Sequence, residues 1–294
     1  MKKIAVGLIA VFGLTVLQPA YAEDKKSIVI IDTAIDTSLP ELNGKIVHEV
    51  CLMEELRCPN NKSFMEGPGS ATLPVTQVYS GGFEHGTRMA QVATKINPDM
   101  NIVFIRIFPM DRRGKVAYNA ANANSTVKQA LDWVINNKTK FNIVAVSTSL
   151  GHRPRKHGAT YCSINRRFDA GLKLSIASLK TMGVASVFAT GNNADKSRID
   201  YPSCLSDSVA VSSVYSEGTL VPAANESVEV DFYALSRHEL SSGTVAGTSA
   251  STAGFAAYWA KSYKGNYQTT YDYLKSVEIK STHSGLKSFV DILK

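Results

Sequence analysis

The chain has 294 residues, 44% of them hydrophobic, and a formal net charge of +7. This length and composition allow a folded domain with a large core. The basic residues are spread along the chain without a zinc-finger, helix-turn-helix or aromatic RNA-binding motif, so we expect no nucleic-acid partner.

The first 22 residues are typical of an export signal. Lys2 and Lys3 precede an apolar run at residues 4–17, and Ala20-Tyr21-Ala22 follows it. This order predicts a secretory signal peptide cleaved after Ala22. The run is short for a membrane helix, which needs about 20 apolar residues, and an uncleaved anchor is the alternative. We therefore expect a secreted or periplasmic mature chain, residues 23–294, that forms one domain without a membrane span.

Alternating strand and helix patterns follow along the mature chain. Short apolar runs rich in β-branched residues predict buried strands at residues 27–31, 101–107, 142–146, 184–189 and 209–214. Helical periodicity predicts helices at residues 87–95, 125–137, 170–182 and 250–264. Ser125 is the expected N-cap of the second helix, and Gly183 the expected C-cap of the third. The alternation predicts an α/β fold, a mostly parallel central sheet with helices on both faces.

Four cysteines in an exported chain predict two disulfides. Four cysteines allow three pairings, and we favour Cys51 with Cys58 and Cys162 with Cys204. The first pair would close a short loop rich in turn residues, and the second would join two distant segments. The six histidines are scattered and no CxxC motif is present, so we predict neither a metal site nor a cofactor.

Four polar residues lie in contexts that suit acyl transfer. Asp32 ends the first predicted strand, His85 and Ser249 stand at predicted helix starts, and Asn192 follows Gly191. Taken singly, each has an ordinary structural interpretation as a turn residue or a helix cap. Taken together, they supply a nucleophile, a base, a residue that orients the base, and an oxyanion donor.

The motifs DTAID, EHGT, ATGNN and GTSAS, in this order, resemble those of the subtilisin-like serine peptidases, the subtilases. The likeness extends over most of residues 28–293. The resemblance implies that Ser249 attacks the scissile carbonyl, that His85 is the general base and that Asp32 orients it. It also implies that Asn192 holds the oxyanion. The peptide-binding strand of the family corresponds to residues 147–151, where we assign Ser147, Ser149, Leu150 and Gly151 to substrate binding.

The chain departs from the family pattern at several positions near these motifs. Ala34 stands where a glycine is usual, Arg88 and Gln91 replace residues after the HGT motif, and Ala253 replaces a proline after the serine. None of these changes removes a reacting group. We expect them to alter the backbone around the site only slightly.

Two further features concern partners. Only about four residues separate the predicted signal peptide from the first strand, which leaves no room for an inhibitory propeptide. The chain would therefore fold unaided, or a separate chaperone or inhibitor chain would assist it. The basic segment at residues 152–157 is either a solvated loop or a rim that selects acidic groups.

The sequence therefore predicts a secreted serine endopeptidase that acts on protein or peptide substrates through an acyl-enzyme. One alternative is a catalytically silent binding protein on the same scaffold. A second alternative, an esterase of the α/β-hydrolase type, requires a G-x-S-x-G elbow that the segment around Ser249 lacks.

Overall fold

The computed structural model describes residues 25–54, 57–117, 120–151, 162, 167–281, 285 and 287–294. These residues form an eight-stranded sheet, a two-stranded sheet and six α-helices. The strands are β1 (Ser27–Asp32), β2 (Ile46–Leu52), β3 (Phe64–Glu66), β4 (Asn101–Arg106), β5 (Ile143–Thr148), β6 (Ala185–Ala189), β7 (Val209–Val214), β8 (Phe232–Leu235), β9 (His238–Leu240) and β10 (Gly243–Val245). The helices are α1 (Val75–Gly81), α2 (Glu84–Ile96), α3 (Ala120–Asn137), α4 (Arg167–Thr181), α5 (Thr248–Lys261) and α6 (Tyr267–Ser276).

The large sheet has the strand order β3-β2-β4-β1-β5-β6-β7-β8. Every pairing is parallel except that of the short edge strand β3 with β2. β1 is central, and its last residue, Asp32, lies opposite Arg106 of β4. In parallel sheets the carboxyl ends of the strands meet at one edge, which is where sites usually form.

Helices cover both faces of the sheet. On one face α2 and α5 pack on alternate strand residues such as Ile30, Phe104 and Val187. On the other face α3 and α4 pack on the intervening residues, among them Ile31 and Ile105. Strands buried on both sides explain the nearly unbroken apolar runs in the sequence. The predicted α/β architecture is confirmed.

Several predicted boundaries were wrong. α3 begins at Ala120, so Ser125 lies inside the helix and is not its N-cap. The added turn consists of alanine and asparagine, in which no apolar periodicity signals a helix, although alanine has a high helix propensity. α2 begins at Glu84 and α5 at Thr248, so His85 and Ser249 each lie within the first turn of a helix. Gly183 adopts the left-handed conformation just beyond α4, as expected of a helix end.

The sequence patterns also missed some elements. β2, β3, β8 and the β9–β10 hairpin were not predicted, nor were α1 and α6. The short strands rely on pairing with neighbours that are distant in the chain, and α6 carries polar and aromatic residues that dilute its periodicity. Tertiary contacts therefore define these elements.

Both predicted disulfides are confirmed. Cys51 is bonded to Cys58, and Cys162 to Cys204, the latter across 42 positions of sequence. Among the described helices, none combines the length and apolar character that crossing a bilayer requires.

Candidate active site

Asp32 and His85 form a hydrogen-bonded pair at the carboxyl end of β1. The His85 Nδ1 atom lies 2.8 Å from Asp32 Oδ1 and 3.0 Å from Oδ2. Asp32 is only 2% exposed, and its Oδ1 also accepts the Thr33 N–H at 2.7 Å. Since a carboxylate can only accept, neutral His85 donates from Nδ1 and keeps Nε2 as a free acceptor. That tautomer is the one a general base requires.

The loop after β1 is fixed to the start of α2. The Thr33 hydroxyl donates to the Phe83 carbonyl at 2.7 Å and accepts the Gly86 N–H at 2.9 Å. A methyl group on Gly86 would lie 2.6 Å from the Ala34 carbonyl oxygen. Glycine next to His85 therefore allows the helix to approach the strand end closely enough for the imidazole to reach Asp32.

The surroundings of His85 stabilise its protonated form more than water stabilises that of a free histidine. Burial opposes the positive charge on His85, but the Asp32 carboxylate and its hydrogen bond outweigh it, with a smaller contribution from Glu84. The pKa of His85 is therefore raised above its ordinary value. A base of this kind holds an abstracted proton readily and releases it in a later step.

Gln91, one of the residues that depart from the family pattern, links α2 to other segments by hydrogen bonds. Its amide nitrogen donates to Glu41 at 2.6 Å and to Ser241 at 2.9 Å, and its oxygen accepts from Ser242 at 2.6 Å. These bonds join α2 to Glu41, which precedes β2, and to the turn of the β9–β10 hairpin. The Asp32–His85 pair is undisturbed by them.

Ser249 lies in the first turn of α5, beside the helix that carries His85. A methyl group on Gly254 of α5 would lie 3.5 Å from the side chain of Val92, and Asn97 donates to the Ala257 carbonyl at 3.3 Å. Both helices therefore run in the same direction, and their first turns lie at the same end. Within the described structure Ser249 and His85 share no hydrogen bond, although their helices start side by side.

Asn192 is held at the start of the same helix. Its Oδ1 accepts the Thr248 N–H at 3.1 Å, which orients the amide and leaves the Nδ2 donor for another acceptor. Gly247, the N-cap of α5, has a φ of 109°, and a methyl group there would lie 3.3 Å from Asn192 Oδ1. The first N–H groups of a helix lack intrahelical acceptors, so Ser249 offers a second donor beside Asn192.

Sequence reasoning missed Asn225, which supports the loop that carries Asn192. Its side chain is fully buried, accepts the Asn193 N–H at 2.9 Å, and donates to the Thr190 carbonyl and to Asp200. A methyl group on Gly191 would lie 2.2 Å from Asp200 Oδ2. No local pattern distinguishes Asn225 in the sequence, because its partners are about 30 residues away.

The proposed substrate-binding segment divides into two parts. Ser147 lies inside β5, pairs with Ile30 and Val187 on its two sides, and is buried. Its backbone therefore has no free edge for a peptide. Ser149, Leu150 and Gly151 continue past the end of the strand and are half-buried.

The basic segment that follows, residues 152–157, lies outside the described residues, so its two interpretations rest on the sequence. Among the residues that the structure does describe, no three His, Cys, Asp or Glu side chains gather closely enough to hold a metal ion.

Comparison with known proteins agrees with this architecture. The model of the subtilase family matches residues 23–289. The structure resembles that of a cold-adapted subtilisin-like serine proteinase, with 20% sequence identity, coverage of 90% of this chain and 86% of the other, and a TM-score of 0.61. It also resembles a lanthipeptide protease, with 15% identity, coverage of 92% and 85%, and a TM-score of 0.66.

Proposed function

This chain belongs to the subtilase family of serine-type peptidases, and we propose that it is an exported endopeptidase that uses Ser249, His85 and Asp32. The observation that carries the proposal is the hydrogen bond of 2.8 Å between His85 Nδ1 and Asp32 Oδ1. It holds the imidazole in the base-competent tautomer at the end of α2 that adjoins Ser249.

In the proposed reaction Ser249 Oγ attacks the carbonyl carbon of a peptide bond. His85 Nε2 takes the hydroxyl proton as the bond forms, and Asp32 stabilises the resulting imidazolium. His85 then gives this proton to the leaving amine, and an acyl-enzyme remains on Ser249. Water attacks the acyl-enzyme with His85 again as the base, and the serine is regenerated.

The developing oxyanion would be bound by two donors, the Nδ2 group of Asn192 and the backbone N–H of Ser249. The bond from Thr248 to Asn192 Oδ1 supports this role, since it fixes the amide before substrate arrives. Donors that are already oriented need no reorganisation when charge forms, which is why they lower the barrier. The positive end of α5 adds to the same stabilisation.

We assign the substrate backbone to residues 149–151, beyond the point where β5 loses its neighbours. An extended peptide bound there would lie beside the loop that carries Asn192. The hydrogen bond between His85 and Ser249 would form once substrate excludes water from the site, since catalytic hydrogen bonds are often long in ligand-free enzymes.

The experiment that tests this function is labelling of the purified mature chain by a fluorophosphonate probe. We expect labelling of the wild-type chain and of Ser276→Ala, a control at the end of α6, but none of Ser249→Ala. His85→Ala should label far more slowly, because the serine loses its base. Absence of labelling in a folded wild-type chain would support the silent binding protein in place of a peptidase.

We further propose that residues 1–22 are removed on export and that residues 23–294 form one peptidase domain. The two disulfides support an oxidising compartment. Mass spectrometry of the exported protein should find Glu23 at the N-terminus, and an intact Met1 would contradict cleavage. A separate chaperone or inhibitor chain also remains our hypothesis. Full recovery of activity after unaided refolding would exclude the need for such a chaperone.

A further inference from the structure

Arg106 is a buried cation for which the described residues provide no carboxylate partner. It ends β4, is 2% exposed, and forms no ion pair with any residue that the structure describes. Its Nε donates to the Phe108 carbonyl at 3.3 Å, and its guanidinium carbon lies 5.4 Å from the centre of the Phe83 ring. The donors on the two terminal nitrogens have no acceptor in the described part of the chain. Charged groups are seldom buried in this way unless a partner completes them.

Burial lowers the pKa of Arg106 to about 10. The side chain therefore remains protonated at neutral pH, in spite of its surroundings. A carboxylate placed beside it would regain the electrostatic stabilisation that the guanidinium loses on leaving water.

The guanidinium lines an open pocket of about 600 Å³. The other described walls are largely apolar, with Pro59, Leu73, Pro74 and Met110, and Arg57 is a second basic residue of the lining. No acidic residue lines the pocket among those that the structure describes. A pocket with an apolar wall and a cationic floor suits a group with a short aliphatic stem and a terminal carboxylate.

This pocket lies beside the proposed catalytic pair. Arg106 stands opposite Asp32 in the β1–β4 register, and both side chains project on the α2 side of the sheet. The ring of Phe83 faces Arg106, and Phe83 precedes His85 by two residues. The Phe83 carbonyl accepts a hydrogen bond from Thr33, which directly follows Asp32. Because β4 and β5 flank β1 on opposite sides, the pocket and residues 149–151 lie on opposite sides of the pair.

Asp32 does not neutralise the charge of Arg106. Its carboxylate is engaged by His85 and by the Thr33 N–H. Although the two residues are neighbours on adjacent strands, the terminal nitrogens of the guanidinium therefore remain available to a group in the pocket.

We propose that this pocket binds an acidic side chain, aspartate or glutamate, of the polypeptide substrate, with Arg106 as the residue that selects it. The proposal rests on the proposed peptidase function and adds a substrate class to it. The acidic residue belongs to the part of the peptide that passes His85 towards β4. A guanidinium recognises a carboxylate through two parallel hydrogen bonds, which supplies geometric selectivity as well as charge.

The test compares matched peptides. A cleavage site is first located in a peptide mixture by mass spectrometry, and each flanking position is then changed to glutamate or glutamine in turn. At one position we expect the glutamate peptide to be cleaved with a kcat/KM roughly 10- to 100-fold above that of its glutamine counterpart, the effect of a charged hydrogen bond. The advantage should decline at high salt only modestly, because the pair is shielded from solvent.

Substitutions at Arg106 test whether this residue is the source of the selectivity. Arg106→Met should lose the preference for glutamate while still cleaving glutamine peptides, and Arg106→Lys should keep part of it. Arg112→Met, an exposed arginine on the following loop, is the matched control and should behave as the wild type. Fluorophosphonate labelling of each variant verifies that its site is folded.

Two outcomes would overturn the proposal. One is an equal rate for glutamate and glutamine peptides at every position of the wild-type substrate. The other is an equal loss on both peptides in a labelled Arg106→Met chain, which would mean that Arg106 supports the fold or the charge of Asp32. Binding of fluorescently labelled forms of the same peptides to Ser249→Ala, measured by fluorescence anisotropy, tests the pocket even if no peptide is hydrolysed. This measurement separates failure of the proposed pocket from failure of the proposed peptidase function.

Discussion

His85 Nδ1 and Asp32 Oδ1 are 2.8 Å apart although their residues are separated by 53 positions in the chain. Two adjacent elements create this contact, the carboxyl end of β1 and the first turn of α2. The Thr33 hydroxyl links them, because it bonds both Phe83 and Gly86. The orientation of the imidazole is therefore a property of the strand–helix junction and does not need a bound substrate.

The first prediction concerns Asp32→Asn. The amide can donate to His85 Nδ1, which favours the tautomer with its proton on Nε2 and removes the free acceptor facing Ser249. We expect kcat to fall about 10⁴-fold with a much smaller change in stability. Steady-state kinetics and urea unfolding of the same samples measure the two effects. A fall below tenfold would mean that Asp32 is not the orienting residue.

The second prediction is the pH dependence of activity. His85 is a base only when neutral, and its pKa is raised above 6.5 in the folded chain, against the effect of burial, by the Asp32 charge and hydrogen bond. Activity should therefore be complete above this raised pKa and fall as the pH decreases through it. A profile of kcat/KM should show an acidic midpoint above 6.5. In Asp32→Asn the midpoint of the residual activity should shift to lower pH, and an unchanged midpoint would contradict the assignment.

The third prediction separates two functions of Asn192. Asn192→Asp keeps an oxygen that accepts the Thr248 N–H but replaces the Nδ2 donor by a negatively charged oxygen. Loss of one preorganised oxyanion donor lowers kcat about 10²- to 10³-fold, and the added charge should increase the loss. KM should change little, because the oxyanion exists only in the transition state. Asn192→Ala serves as the uncharged comparison, and a change confined to KM would argue against the oxyanion role.

The fourth prediction compares the disulfides in a Ser249→Ala background, which prevents self-cleavage. The Cys162–Cys204 bond spans 42 positions and the Cys51–Cys58 bond spans 7. Loop-closure entropy gives about 4 kcal/mol for the longer loop and about 2 kcal/mol for the shorter one. We expect Cys162→Ala/Cys204→Ala to lower the free energy of urea unfolding by the larger amount. Equal stability of that variant and its parent would show that the denatured chain retains structure across the loop.

Much of the fold was predictable because strands buried on both faces are strongly patterned. β1, β4, β5, β6 and β7 each appear as apolar runs, and their predicted positions agree with the structure to within one or two residues. β2 and β8 were missed for different reasons. β2 mixes polar and apolar residues, and β8 is a strand of only four residues at the edge of the sheet. Ser125 was wrongly taken as a helix start because the periodic apolar stripe begins there, whereas α3 begins one and a half turns earlier.

The sequence by itself determined the α/β class and the candidate residues Asp32, His85, Asn192 and Ser249, since each depends on local composition or on a short motif. It favoured one of three disulfide pairings, and the tertiary structure decided among them, because Cys162 and Cys204 are 42 positions apart in the chain. Only the tertiary structure decided which side chains support or neighbour the candidate residues. Asn225 supports the loop that carries Asn192, Ser147 lies between two strands, and Arg106 faces a pocket whose described lining has no acidic residue. Burial and hydrogen-bond partnership are properties of residues brought together from distant parts of the chain, so no local pattern encodes them.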